Sequence, residues 1–171
     1  MTNTKNPAPN GAALGARLVV DSPIGPLVLD GDDSSITHLH LPNTGEAATG
    51  SSPGRVPAAL RAGAAQLAEY FAARRTEFSL PLAPTGTAFQ VSVWRALADI
   101  PYGGTITYGE LARYVGRPLA CRAVGQANGA NPLPIFYPCH RVVAAGGRLG
   151  GYGGGLDVKR ELLEREGVPT A

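Results

Sequence analysis

Residues 107–129, TYGELARYVGRPLACRAVGQANG, contain two short helical patterns separated by a Gly-Arg-Pro break. Thr107 is a favoured N-cap residue, and Glu110 three positions later predicts a capping box for a first helix over 108–115. A second helix is predicted over 119–129, after the break. Two short helices joined by so tight a turn are typical of a helix-turn-helix. The second helix is rich in alanine and glycine, which suits close approach either to another helix or to DNA.

The run Pro138-Cys139-His140-Arg141-Val142 follows this segment and places one of two cysteines beside one of three histidines. A thiol is a nucleophile only as its thiolate, and a neighbouring base or positive charge favours that form. A buried structural cysteine that happens to precede a histidine is the alternative reading.

Composition favours a globular chain of one domain or two small ones. The chain has 171 residues, 44% of them hydrophobic, and no apolar run approaches the ~18 residues of a membrane span. Residues 1–16 are rich in Asn, Pro, Gly and Ala and are expected to form a disordered tail rather than a secretory signal. Two cysteines suit a reducing cytoplasm and cannot by themselves supply a structural zinc site.

Positive charge is concentrated in one segment. Residues 105–150 carry five arginines against the single acidic residue Glu110, whereas the flanking segments are slightly acidic. Such a patch is expected of a phosphate-binding face, although five arginines can also form a solvated surface.

The N-terminal half is predicted to be a small α/β unit over residues 17–83. Short β-like runs, a helical pattern and a further short strand follow one another over 17–21, 26–30, 35–41, 58–75 and 77–82. His38 and His40 alternate with leucines and should share one face of the third strand. A metal site there lacks a nearby third ligand.

A linker over 83–86 leads into the second unit, which is predicted to span residues 84–171. Its first helix is predicted over 87–100, with Thr87 as the N-cap. Residues 135–137 are predicted to form a buried strand that leads to Cys139. Residues 142–150 resemble a small hairpin, the wing of a winged helix. A last helix over 157–166 is expected to be capped by Asp157 and ended by Gly167.

These motifs occur together in one order: Thr107-Tyr108, Arg122-Ala-Val-Gly125, Asn131-Pro132, Pro138-Cys-His-Arg-Val142, Tyr152 before Gly154-Gly155, and Lys159 to Gly167. In this the chain resembles the O6-alkylguanine-DNA alkyltransferases, the methylated-DNA–protein-cysteine methyltransferase family. The strong likeness covers about residues 85–167, and the first half is similar in layout only.

The resemblance implies a mixed α/β fold, with an RNase H-like N-terminal domain and a winged-helix C-terminal domain. It implies that the second helix binds the minor groove of double-stranded DNA. Arg122 would fill the gap in the stack, and Tyr108 would press on the target phosphate and hydrogen-bond the flipped base. The further DNA-contacting positions are Thr107, Ala123, Gln126, Ala127 and Gly129.

The resemblance also implies that the Cys139 thiolate displaces the alkyl group from O6 of guanine. His140 would act on the thiol through a water molecule, Glu166 would orient the imidazole, and Asn131 would buttress the turn. The carbonyls of Cys139 and Val142 would accept from the guanine amino group, and Tyr152 and the Gly153 backbone would cover the base and donate to O6. The thioether product implies one repair per molecule, with no cofactor and no metal, by a chain that is monomeric when free.

Three positions depart from the family pattern. Tyr137 stands where a small aliphatic residue is usual, so local packing or pocket size is expected to differ. Cys121 replaces a commoner alanine and is either a buried thiol or one close to DNA. Gly153 stands where some relatives have serine, so a hydroxyl donor to O6 is lost.

Three other functions fit parts of the pattern. A non-catalytic alkyltransferase-like damage-binding protein shares this domain but lacks the reactive cysteine. An adaptive-response regulator would need a cysteine-rich zinc domain and more length. A Cys-His-Glu hydrolase would need an oxyanion hole near Cys139 and leaves the basic helix-turn-helix unexplained.

Overall fold

The computed structural model describes residues 15–45 and 50–170, which form a three-stranded sheet with one helix and then a mainly helical half. The predicted tail, residues 1–16, lies outside the described residues except for its last two, and Ala16 is already the first residue of a strand. Within the described ranges, no helix is both long enough and apolar enough to cross a membrane.

The N-terminal half is an antiparallel meander packed against a helix. Its elements are β1 (Ala16–Val20), β2 (Leu27–Gly31), β3 (Ile36–His40) and α1 (Ala58–Phe71). Buried leucines of α1 lie on the sheet, and Gly63 permits the close approach, because a Cβ there would lie 2.7 Å from Cδ1 of Ile36. The three predicted strands are therefore confirmed, and each of their ends agrees within one residue.

Two expectations for this half need correction. Helix α1 ends at Phe71 and not at residue 75, because the chain turns at Ala73, which has a φ of 55°. The strand predicted over 77–82 is reduced to one bridge between Ile36 and Leu82. Pro81 has no N–H to extend the pairing, and only its carbonyl takes part, accepting from Ile36 N at 2.9 Å.

The C-terminal half places its helices around two very short strands. Its elements are α2 (Ala88–Leu97), β4 (Ile106–Thr107), α3 (Tyr108–Tyr114), α4 (Cys121–Gly129), β5 (Val142–Val143) and α5 (Leu156–Arg165). Thr87 and Thr107 form the predicted N-caps, each in a capping box, with Gln90 and Glu110 respectively. The helix-turn-helix is therefore confirmed as α3 and α4, although α4 begins two residues later than predicted.

Residues 135–137 are buried but do not form a strand. Ile135 has a φ of 73°, and the segment folds back in a turn with a bridge between Pro134 and Tyr137. The apolar run therefore predicted the burial of these residues correctly but their strand conformation wrongly. Short apolar runs do not by themselves determine backbone conformation.

A hairpin was predicted over 142–150, but the described residues of this segment do not form two antiparallel strands. Strand β5 pairs in parallel with β4, and the chain then turns through a 3₁₀ segment, Ala145–Gly147. Gly146 and Gly147 have φ values of 76° and 77°, so they close a turn instead of extending a strand.

The last helix begins one residue before Asp157, so the predicted cap is wrong. Gly155 occupies the N-cap position with a φ of 91°, a conformation in the region that favours glycine. Asp157 lies in the first turn, where its negative charge suits the helix dipole. Gly167 follows the helix with a φ of 83°, as predicted for its end.

The two halves share one hydrophobic core. Leu29 and Ile36 of the sheet, Trp94 of α2 and Leu162 of α5 belong to the same continuous cluster of buried side chains. Side chains from both halves can therefore meet in one site between them.

Candidate active site

A small cavity of about 190 Å³ opens between the two halves and holds Cys139 in its wall. The C-terminal half contributes Asn128, Asn131, Tyr152 and Gly153, and the N-terminal half contributes residues from β3 and the following turn: His38, His40, Leu41 and Thr44. A separate cleft of about 590 Å³ is larger, but Cys139 is not among its lining residues. The smaller cavity is therefore the candidate active site.

The histidine pair on β3 forms part of this wall. The rings of His38 and His40 stack with centroids 5.6 Å apart, so they share one face as predicted. His40 Nε2 is 2.8 Å from Asp30, which also pairs with Arg17. In residues 15–45 and 50–170, no three His, Cys, Asp or Glu side chains are grouped as metal ligands would be.

Cys139 is the first residue of a 3₁₀ turn, Cys139–Arg141, and is only 5% exposed. Asn131 holds the preceding segment: its Nδ2 donates to the Tyr137 carbonyl at 2.7 Å, and its Oδ1 accepts from Leu133 N at 3.0 Å. Burial raises the pKa of the Cys139 thiol, and hydrogen bonding from Asn131 and the charge of Lys159 oppose that rise. The free protein therefore holds a protonated thiol at neutral pH.

His140 is fully buried, and its Nε2 lies 2.7 Å from Oε1 of Glu166. Since a carboxylate can only accept, Nε2 carries the hydrogen and Nδ1 keeps a free lone pair. Nδ1 is buried and has no hydrogen-bond partner in the described part of the chain. Burial lowers the pKa of His140 despite the opposing charge of Glu166, so the imidazole is neutral and able to accept a proton.

The Glu166 carboxylate is the centre of a buried network. It accepts from the Tyr70 hydroxyl at 2.7 Å, and from Arg141 Nε and Nη2 at 2.8 and 3.0 Å. Burial alone would raise its pKa, but hydrogen bonds from His140 and Arg141 outweigh burial and lower the pKa to about 2. Glu166 is therefore ionised over the whole physiological pH range.

Sequence reasoning missed two members of this network, Tyr70 and Arg141, and also the role of a buried lysine beside the cavity, Lys159. The Arg141 guanidinium binds Glu166 and donates to the Ile100 carbonyl at 2.6 Å. A signal for Lys159 was present in the sequence, since the buried face of α5 repeats at helical spacing through Val158, Lys159 and Leu162. A lysine at such a position requires a buried partner.

Lys159 has its partners in two backbone carbonyls beside the cavity. Its Nζ donates to Val142 O at 2.6 Å and to Gly151 O at 3.2 Å, and it lies 6.0 Å from the centroid of the Tyr152 ring. The ammonium thus ties the glycine-rich loop to β5. Burial lowers the pKa of Lys159 to about 8, while the nearby Cys139 favours the charged form.

The exposed face of α4 carries most of the predicted DNA-contacting residues: Arg122, Ala123, Gln126 and Gly129. Ala127 does not belong with them, because it is 2% exposed and faces α2. Its carbonyl accepts from Trp94 Nε1 at 2.7 Å. We therefore leave Ala127 out of the DNA-contacting set. Thr107 is the capping residue of α3, and its hydroxyl donates to Glu110 at 2.8 Å.

Tyr108 opens α3 and lies between α4 and the loop over the cavity. The Tyr108 ring lies against α4 near Gly125, since a Cβ added there would be in ordinary van der Waals contact with it at 3.7 Å. Its hydroxyl is 3.5 Å from the Gly151 carbonyl. On the same loop, Gly153 is exposed, while the Tyr152 hydroxyl is buried and without a hydrogen-bond partner among the described residues.

Two of the atypical residues lie away from the cavity. Tyr137 lines the separate 590 Å³ cleft, so it does not set the size of the Cys139 cavity. Cys121 is exposed at the start of α4, which excludes the buried-thiol alternative.

Comparison with known proteins identifies the family. Residues 17–84 match the family model described as "6-O-methylguanine DNA methyltransferase, ribonuclease-like domain", and residues 88–168 match that described as "6-O-methylguanine DNA methyltransferase, DNA binding domain". The chain belongs to the 6-O-methylguanine DNA methyltransferase family, a mixed α/β protein with an N-terminal sheet domain and a helical C-terminal domain.

Relatives named methylated-DNA–protein-cysteine methyltransferase include a Mycobacterium bovis protein, 52% identical over 149 residues that cover 86% of this chain and 89% of the relative. A Methanosarcina acetivorans relative of the same name is 45% identical over 156 residues, which cover 87% of this chain and 96% of the relative. Among solved structures, Mycobacterium tuberculosis OGT in complex with DNA matches with a TM-score of 0.78 and 50% identity, covering 86% of this chain and 90% of that one.

Proposed function

We propose that this protein repairs O6-alkylated guanine in double-stranded DNA by moving the alkyl group irreversibly to its own Cys139. The observation that carries the proposal is the thiol in the wall of a small cavity, next in the chain to a histidine whose buried Nδ1 has no hydrogen-bond partner among the described residues. The names of its relatives and the DNA complex of a 50%-identical protein support it.

The chemistry requires a proton acceptor and a stabilised leaving group. The Cys139 proton passes to His140 Nδ1, directly or through one water molecule, and the resulting imidazolium is stabilised by the Glu166 carboxylate. The sulfur then bonds to the alkyl carbon while the C–O6 electron pair leaves with guanine. Guanine takes up one proton at N1, which balances the proton that Cys139 lost, and the thioether remains on the protein.

The proposed DNA contact places the exposed face of α4 in the minor groove. Arg122 would enter the base stack, and Tyr108 would press on the phosphate and hydrogen-bond the extruded base. The small volume of the cavity supports this route, because it can admit a single base and not a duplex. Both cysteines are free thiols, which suits a protein working as a monomer in the reducing cytoplasm.

The decisive experiment uses a duplex with one O6-methylguanine labelled in the methyl group. We expect the label to saturate at about one methyl per protein molecule and to be recovered as S-methylcysteine in the peptide containing Cys139. A duplex that binds without any transfer of label would instead indicate a damage-binding protein. Label released into solution in repeated turnovers would contradict the irreversible mechanism.

The transfer rate should fall in acid, because protonated His140 cannot accept the thiol proton. Since burial places the pKa of His140 below 6.5, we expect a plateau near neutral pH and a decline as the pH falls below that value. The measurement is the single-turnover rate at saturating protein from about pH 5 to about pH 8.5. A His140→Gln variant should be slower and lose this acid limb; an unchanged limb in the variant would assign it to another group.

Gly153→Ser should accelerate transfer, because the new hydroxyl can donate to O6 of the departing guanine. The substitution is sterically clean, since a Cβ at Gly153 meets no atom within 4 Å. One added hydrogen bond of ordinary strength predicts a roughly two- to tenfold faster single-turnover rate. Gly153→Ala is the matched control for the added carbon, and a serine variant no faster than the alanine variant would refute the role of the hydroxyl.

A further inference from the structure

Asn128 is a polar residue of the cavity wall that the proposed chemistry does not use. It lies near the end of α4, is 5% exposed, and lines the same cavity as Cys139. Its Oδ1 is buried with no hydrogen-bond partner in the two described ranges, 15–45 and 50–170. Buried side-chain acceptors in native proteins are nearly always paired, so an unpaired one beside a binding cavity indicates a ligand group that completes it.

The Tyr108 ring lies close to the same helix, since a Cβ added at Gly125 of α4 would lie 3.7 Å from it. Hydrogen bonding from Asn128 opposes the rise in the pKa of Tyr108 that burial causes, which agrees with this proximity. Asn128 therefore lies near the residue proposed above to hydrogen-bond the extruded base, and its Oδ1 remains available to a donor.

The chemistry of the lesion limits which donor can fill this place. Alkylation at O6 leaves N1 of guanine without a hydrogen, so the exocyclic 2-amino group carries the only N–H donors of the base. The unpaired Oδ1 of Asn128 is an acceptor in the wall of the cavity, so it is complementary to this amino group.

The need for a further acceptor is visible elsewhere in the site. The Val142 carbonyl, one of the two acceptors that the family resemblance implies for the amino group, already accepts from the Lys159 ammonium at 2.6 Å. A charged donor at this distance occupies one lone pair of the oxygen and weakens its ability to accept a second hydrogen bond.

We propose that Asn128 is a base-recognition residue, whose Oδ1 accepts a hydrogen bond from the 2-amino group of the extruded base. This inference rests on the proposed function and adds to it a basis for specificity. Asn128 distinguishes an alkylated guanine from an O6-alkylated purine that lacks the amino group.

The test compares two duplexes that differ only in this group, one with O6-methylguanine and one with O6-methylhypoxanthine. Single-turnover transfer rates and dissociation constants are measured for the full-length protein and for Asn128→Leu, which has a similar size but no acceptor. We expect the wild-type protein to prefer the guanine duplex by roughly tenfold and the leucine variant to react with both duplexes at nearly equal rates. Asn128→Asp, which keeps an acceptor, should retain the preference.

Gln126→Leu is the matched control, because it removes an amide from an exposed position of the same helix and should alter both substrates equally. If thermal melting shows that Asn128→Leu does not fold, Asn128→Ala takes its place with the same expected loss of preference. A preference that survives in the leucine or alanine variant would overturn the inference, as would a wild-type protein without any preference. Failure of the wild-type protein to demethylate either duplex would count against the proposed function instead.

Discussion

A Cys139→Ala variant is expected to bind a duplex carrying O6-methylguanine and to transfer none of its methyl group. The side chain is 5% exposed and lines the cavity, so its loss removes the proposed nucleophile and leaves the exposed face of α4 unchanged. No other thiol can substitute for it, because Cys121, the second of the two cysteines, is exposed at the start of α4. Label transfer and an electrophoretic binding assay on the same duplex separate the two properties.

Cys121→Ala is the matched control for this variant. It removes the other thiol and should still take up about one methyl group per protein molecule. Label found on the Cys139→Ala protein would show that another residue is alkylated and would contradict the proposed nucleophile.

The second large effect is expected for Glu166→Gln, in both rate and stability. The amide cannot stabilise the imidazolium, and its NH₂ group would meet donors from Tyr70, His140 and Arg141 that now bind a carboxylate. We expect transfer to slow by roughly 10²- to 10⁴-fold, as when the acidic member of a catalytic triad is neutralised. Loss of one partner from a buried ion pair should lower the free energy of unfolding by about 3–5 kcal/mol.

The dependence of stability on pH gives an independent measurement of the same change. The folded-state pKa of Glu166 is about 2, below its ordinary value of 4.5. Its contribution to stability is therefore complete above pH 4.5 and is lost as the pH falls towards 2. Chemical denaturation across this window should show a shallower decline for Glu166→Gln than for the wild-type protein. Glu164→Gln, an exposed neighbour on the same segment, should behave as wild type; equal declines in all three proteins would rule out this role for Glu166.

Local signals in the sequence predicted much of the fold. Thr87 and Thr107 cap helices as predicted, and the capping box predicted for Thr107 and Glu110 is present, because it depends on residues only three positions apart. The errors occurred where the backbone conformation depends on tertiary surroundings, as at Ile135. They also occurred at the start of α5, where Gly155 and not the predicted Asp157 occupies the N-cap position.

The same contrast between local signals and long-range contacts applies to the candidate site. Cys139 and His140 are adjacent in the sequence, and the family pattern places Glu166 at a characteristic distance from them. Tyr70 could not be predicted, because it lies 96 residues from Glu166 and nothing local distinguishes it from any other half-apolar residue of an amphipathic helix. Ala127 was wrongly assigned to the DNA face, because a list of small residues does not say which of them the helix turns towards Trp94.

The bond from Tyr70 to Glu166 also bears on how this protein can be divided. Cutting the chain near residue 84 would separate the two domains that the family models match. The buried Glu166 carboxylate would then lose the hydrogen bond from Tyr70, and the shared hydrophobic core would be divided. The isolated C-terminal piece would thus lack a part of the site even though it contains the proposed nucleophile, Cys139. Chimeras that exchange N-terminal modules between relatives should succeed only when the incoming module brings a hydroxyl to this place.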